Sequence, residues 1–258
     1  MLRNFLASLG FGAAKIDLVL ESSTLTMGEP VSGKIFLEGG EAEQLIEKLN
    51  VHFCLASSYK KGDRIQNVNE TIVTIPIDHE EFVIDPGEKK EYDFYFKCPV
   101  GLPVSSINTR YFFKTDLEIS SGIDAEDRDF ISVEPSGLLK NFLDGFAKLG
   151  LVHYGEEYTG RRDGSFQTIQ FHPTAWLRGK YDEIVFTYKT TETENSIRGY
   201  FELDKKTSGL IGRIADELDL DERKGKFYFS AQELATVEKA AETLQNFIMK
   251  NSAGLIGG

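Results

Sequence analysis

The sequence predicts a mainly β protein: an antiparallel β-sandwich, then a smaller β-rich domain that closes in an α-helix. Three observations carry this. Apolar and polar residues alternate through about seven short runs in residues 1–135. Turn-forming groups (MGEP, LEGG, DPGEKK, GLP) separate those runs. Beyond EPSG at 134–137 the period changes, and the last apolar run has helical spacing behind an S-x-x-E capping pattern.

Taken in order, KIDLVLE sets Ile16, Leu18 and Leu20 against Lys15, Asp17 and Glu21. VSGKIFLE does the same with Val31, Ile35 and Leu37, and VHFCLASSY with Val51, Phe53 and Leu55. TIVTIPI follows, then EYDFYFKC (Tyr92, Phe94, Phe96), RYFFKTDLEI (Tyr111, Phe113, Leu117, Ile119) and DFISVE. Period-two alternation gives each strand one buried and one wet face. Gly33 shares a face with Val31, Ile35 and Leu37, so bare backbone is expected to meet the facing sheet there. The first domain therefore runs over 1–135 and the second over 136–258. In the second, LLKNFLDGFAKLGL is either a helix or a connection. SFQTIQFHP is a strand, and DEIVFTYKT and SIRGYFEL form a hairpin around TETEN. GLIGRIADEL is a short amphipathic helix and KFYFS one more strand. Leu234, Val237, Ala241, Leu244 and Ile248 define a helix over 230–250, capped by Ser230 and Glu233. At the other end, Phe5, Leu6 and Leu9 share a face of a short helix over 2–12. Both terminal helices are either core or docking elements.

With 258 residues the chain is long enough for one or two domains with substantial cores. Its net charge is −12, and residues 1–136, with 13 basic and 23 acidic side chains, carry most of it. Such a surface repels phosphate backbones, so nucleic acid is not an expected partner. Cys54 and Cys98 stand far apart without CxxC spacing, as buried free thiols do, which fits a cytoplasmic location. No apolar run approaches the roughly 20 residues of a membrane-spanning helix, so no integral membrane segment is expected.

Motifs for chemistry are missing: there is no GxSxG, P-loop, GxGxxG or HExxH. His52, His79, His153 and His172 show no metal-pair spacing. In DELDLDERKGK (216–226), taking Asp219 and Asp221 as the first calcium ligands puts Arg223 at the third oxygen and Lys224 at the turn glycine. Arg161 and Arg162 in TGRRDG suit a carboxylate or phosphate, though a plain surface loop explains them. Trp176 with Tyr154, Tyr158 and Tyr181 is the candidate lining of a sugar or small-ligand site, the alternative to a protein-binding role. A hydrolase would need a cleft joining a histidine to acidic residues, and nothing in the sequence motivates one. No catalytic, cofactor-binding or metal-binding residue is expected, and no cofactor.

The order of the motifs is more specific than any one of them. MGEPVSGKIFLEGG, then FVIDPGEKKEYDFYFKCPVGLPVS, then RYFFKTDLEISSGIDAEDRDFISVEP resembles the N-terminal β-sandwich of the arrestin fold. The matching positions are Gly28, Glu29, Val31 and Gly33; Pro86, Gly87, Phe94, Phe96, Pro99, Leu102, Pro103 and Ser105; and Tyr111, Val133 and Pro135. The opening MLRNFLASLGFGAAKIDLVLE, the FHPT…RGKYDEIVF segment, GLIGRIADEL and the capped terminal helix resemble the bacterial sporulation-control (SpoOM-type) family of Bacillus and its relatives. That resemblance implies an arrestin-like, non-enzymatic regulator of sporulation (stage 0) and of cell-division events. It implies action through protein–protein contacts, with regulatory or cytoskeletal partners and no catalytic motif to carry over.

Overall fold

The computed structural model describes residues 14–78, 80–120, 124–205 and 222–252. The expected helix at 2–12, His79, GLIGRIADEL (209–218) and the tail AGLIGG (253–258) lie outside the described residues. The chain divides into two compact units. One holds the chain up to Ala56, Asn69–Pro99 and Arg110–Val133; the other holds Ser57–Val68, Val100–Thr109 and everything from Glu134 onward.

The first unit draws on nine strands: β1 (Lys15–Leu20), β2 (Thr24–Thr26), β3 (Pro30–Glu38), β4 (Gln44–Lys61), β5 (Arg64–Asp78), β6 (Phe82–Ile84), β7 (Lys89–Lys97), β8 (Arg110–Ile119) and β9 (Ala125–Glu134). They form a three-stranded sheet, β1-β3-β7, and a six-stranded one, β2-β9-β8-β4-β5 with β6 beside β4. Alternation places Phe53, Tyr111 and Phe113 on the inner side of the large sheet and Phe94 and Phe96 on that of the small one. Phe53 meets Phe96 at 5.0 Å and Phe94 meets Phe113 edge-on at 5.4 Å, so ring pairs join the sheets. Such pairs add about 0.5–1.5 kcal/mol each beyond their burial. Two strands escaped the sequence reading because β2 and β6 are three residues long, too short for a period.

The turns follow their residues. The Glu29 N–H donates to the Thr26 carbonyl at 3.0 Å across Gly28, whose φ is +85°. Asp85–Glu88 repeats this, with Pro86 second and Gly87 third at φ +71°. Positive φ at the third position defines a type II turn, and glycine adopts it without a Cβ penalty. At Gly33 the structure alters the expectation. A Cβ there would lie 2.6 Å from the Val19 carbonyl oxygen, on β1 of the same sheet. The close approach is therefore to the neighbouring strand, Leu20 being the register partner of Gly33, and not to the facing sheet.

The second unit contains α1 (Gly137–Lys148), then β10 (Leu151–Tyr158), β11 (Phe166–Pro173), β12 (Tyr181–Lys189), β13 (Ser196–Lys205), β14 (Glu222–Ser230) and α2 (Val237–Asn251). The strands form an antiparallel meander in chain order. LLKNFLDGFAKLGL thus resolves as helix, with Leu139, Phe142 and Phe146 on its buried face. β10 was illegible because its register shifts between His153 and Gly155, which breaks the alternation on which a strand reading depends. The terminal helix begins later than expected, at Val237 and not at residue 230. The Ser230–Glu233 box does form: the Ser230 N–H donates to the Glu233 carboxylate at 2.8 Å. It closes a single turn, after which Thr236 caps the true helix by accepting from the Lys239 N–H at 3.3 Å. Asn141 of α1 donates to the Leu234 carbonyl at 2.9 Å, and Lys148 pairs with Glu238 at 2.9 Å.

Phe142 sits where helix and sheet meet, fully buried against Phe146, Phe186, Tyr188, Phe227 and Phe229. Phe142→Ala should cost about 3–5 kcal/mol, the usual toll of a large aromatic removed from a core. Urea denaturation followed by circular dichroism measures it.

Candidate interaction surfaces

On the outer face of the six-stranded sheet, strand register builds a charge ladder. His52, Lys114 and Arg128 stand in one row across β4, β8 and β9; Asn50, Asp116 and Glu126 stand in the next. The rows close on one another through His52–Asp116 at 3.2 Å and the ion pairs Lys114–Asp116 at 2.8 Å, Lys114–Glu126 at 3.1 Å and Arg128–Glu126 at 3.2 Å. The hydrogen bond to Asp116, and after it the one to Glu126, raises the Lys114 ammonium above its ordinary range; Lys114 in turn holds Glu126 below that of a free glutamate. A hollow of about 560 Å³ lies beside them, rimmed by Glu47, Glu118, Ser120 and Asp124. His52 stands on the polar side of its strand, as read from sequence, with Nδ1 3.0 Å from Thr74 Oγ1. These charges largely satisfy one another, and exposed pairs of this kind are worth about 0–1 kcal/mol each. Among the described residues no three His, Cys, Asp or Glu side chains are grouped to hold a metal ion. Cys54 and Cys98 are free and buried, and burial pushes the Cys98 thiol up to about 12.

Strand β9 holds a feature the sequence reading missed. Its buried residues Ala125, Ile131 and Val133 put Asp127 and Asp129 on the inward row, while Phe130 faces solvent. Asp127 accepts the Leu18 N–H at 3.2 Å and so satisfies a backbone donor of edge strand β1. Asp129 stands opposite the fully buried Phe113. Burial foremost, then the Asp127 carboxylate and its hydrogen bond, then Asp17, push the Asp129 carboxyl up to about 8. The sequence signal was available: in EDRDF the carboxylates at 127 and 129 share the parity of Ile131 and Val133.

In the second unit one arrangement does join a histidine to a carboxylate. Ser106 Oγ lies 3.2 Å from His153 Nδ1 and 3.3 Å from Nε2. His153 Nε2 is 3.1 Å from the Gly155 carbonyl and 3.7 Å from Glu156 Oε2. Ser106 thus faces the ring between its nitrogens, without the in-line contact that activates a nucleophile. Glu156, buried, accepts the Thr109 N–H at 2.7 Å, and the Asn108 amide reaches the Glu156 carbonyl at 3.5 Å. The carboxylate's visible work is to tie the 106–109 loop to β10.

The sugar-site candidates differ in exposure, and Trp176 is half-buried. Tyr158 and Tyr181 are buried in the core, whereas Tyr154 is partly exposed. Tyr154 packs against His172 with the rings tilted and their centroids 4.6 Å apart, and donates to Glu183 at 2.5 Å. Burial, then that hydrogen bond, raises the Tyr154 phenol well above its ordinary value. Arg161 and Arg162 are exposed on a one-turn 3₁₀ segment, and their neighbour Asp163 accepts from Tyr59 at 2.8 Å. Most of the calcium-loop look-alike lies outside the described residues, and Lys224–Lys226 belong to β14. What the sheet does present is an outer face with Tyr200 and Tyr228 exposed. A shallow hollow of about 430 Å³ lies there among Val185, Thr187, Tyr200, Lys224 and Lys226.

The profile of the family described as Spo0M: SpoOM protein matches residues 2–207. The chain belongs to the SpoOM protein family. The sporulation-control protein spo0M of Bacillus subtilis (strain 168) is 29% identical over 248 residues, spanning 94% of this chain and 95% of that one. The crystal structure of Spo0M, sporulation control protein, from Bacillus subtilis superimposes with a TM-score of 0.73 at 25% identity, covering 93% of this chain and 99% of that one. Among the described residues of this SpoOM-family chain, no helix is long and apolar enough to cross a membrane.

The Asp129 geometry fixes a pH response. A carboxyl whose folded value is raised binds its proton more tightly in the native state, so it costs stability as pH climbs from the ordinary aspartate range towards 8. Asp129→Asn should therefore raise Tm at pH 8 and leave it nearly unchanged near pH 4. Calorimetric scans across that range check both limbs.

Proposed function

We propose that this chain is a non-enzymatic cytoplasmic regulator that controls sporulation through protein–protein contacts. One observation carries the reading: the relationship to a sporulation-control protein runs through nearly the full length of both chains. Two features support action by contact. The charged ladder of β4, β8 and β9 is internally paired, and the Ser106–His153–Glu156 group ties a loop without an in-line nucleophile. Paired sheets with exposed aromatic side chains and open strand edges suit recognition by strand addition or loop contact. An arrestin-like arrangement of the first unit agrees with the ordered motifs at Gly28–Gly33, Pro86–Ser105 and Tyr111–Pro135.

The test is complementation. Expressed in a Bacillus subtilis strain lacking its spo0M gene, this chain should return the yield of heat-resistant spores to the parental level. A yield equal to that of the empty vector refutes the reading. A Ser106→Ala, His153→Gln variant should complement as well as the parent. Failure of that variant with Tm retained would point to chemistry at those two side chains.

A further inference from the structure

Among the described residues the sheet of the second unit ends at β14. Among the described residues the backbone of this strand pairs with β13 alone. An open edge offers N–H and C=O groups that another extended chain can satisfy. Phe227 and Phe229 point into the core beneath α1 and α2, so alternation turns Lys224, Lys226 and Tyr228 to the opposite face, where all three are exposed. Register sets Lys226 opposite Tyr200, Lys224 opposite Glu202 and Tyr228 opposite Arg198. Lys224 has Glu202 at 3.4 Å, and Arg198 is held by Glu192 at 2.8 Å. Lys226 instead stands 5.9 Å over the Tyr200 ring.

The other edges differ in character. Edge strand β1 is met by Asp127. The lysines of β7 and its neighbour β3 are matched across the pair, Lys34 to Glu91 and Lys89 to Glu38, as Lys224 is matched to Glu202, so what sets β14 apart is Lys226, which faces a ring instead of a carboxylate. β10 carries a half-buried Glu157 beside exposed Val152 and Tyr154, and β5 mixes Arg64 with Glu70 and Asp78. In a chain of net charge −12, an edge presenting lysines at alternate positions is a local reversal of sign. A second copy makes a poor occupant, because antiparallel self-pairing centred on the lysines would bring those of one edge against those of the other, and like charges opposed across strands destabilise.

We propose that β14 is the docking edge for an extended, acidic segment of a partner protein, added as a sixth strand. Its carboxylates lie against Lys224 and Lys226, and an apolar side chain lies against Tyr228. This rests on reading the chain as one that acts by contact, and names the chemistry of the partner.

The probe is a fluorescent nine-residue peptide alternating glutamate and valine, matched to the length of β14 and titrated against the full chain by fluorescence anisotropy. Saturable binding is expected, weakened about three- to tenfold by Lys224→Glu with Lys226→Glu. N-methylation of one alternate set of peptide amides should abolish binding, and methylation of the other set should spare it, since a strand turns only one set of donors to its neighbour. Circular dichroism confirms that the double variant is folded. Equal binding by both methylated peptides, an unaltered affinity in the double variant, or self-association that the double variant alone removes in sedimentation would each overturn the proposal. Spore complementation is read independently, so failure here is distinct from failure of the sporulation role.

Discussion

The fully buried ring of Phe142 ties α1 to β12 and β14 of the second unit. Around it Phe146 stacks on Phe171 at 4.2 Å, and Phe247 of α2 meets Phe201 at 4.9 Å. A sheet that gathers most of its apolar rings on one side leaves its other side largely to solvent, where Phe166 lies beside Tyr200. From that follow the wet tyrosines, the lysines of β14 and the register that sets them in rows.

The first unit obeys the same rule with sheet against sheet, and breaks it at one place. Asp127 and Asp129 occupy the inward row of β9 beside Thr115 and Phe113. Asp127 recovers part of the desolvation by taking a backbone hydrogen bond from Leu18. Asp129 keeps an oxygen without a hydrogen-bond partner, and holds its proton instead. A polar residue in a packed layer also discriminates between registers, because a shift of one residue would put Phe130 inside and both aspartates out.

Legibility followed periodicity. β1, β3, β7 and β8 alternate without interruption, and each was readable. β10 was lost at its bulge, and the start of α2 was displaced because Ser230–Glu233 carries the same capping signature as a helix while closing only one turn. The family was legible from motif order, since order samples the whole chain at once. The polar clusters were not. Ser106 and His153 are 47 residues apart, and Asp127 and Leu18 are 109 apart. Only the fold brings such pairs together, and no local pattern announces them. The basic edge lay between: Lys224 and Lys226 are visible as letters, but their meaning depends on β14 ending a sheet.

The division of the chain into two units has a consequence for synthesis. Residues 57–68 and 100–109 belong to the second unit although they lie within the stretch that forms the first. When a ribosome has released residues 1–133, those two segments can meet each other, as Ser57 meets Thr109 at 2.9 Å and Ser58 meets Asn108 at 3.1 Å, but not the rest of their unit. The ends of β4 and β5 must therefore wait, exposed, until the following sheet and helices emerge. Divided at residue 134, the chain leaves its second unit incomplete, because 57–68 and 100–109 stay with the first half.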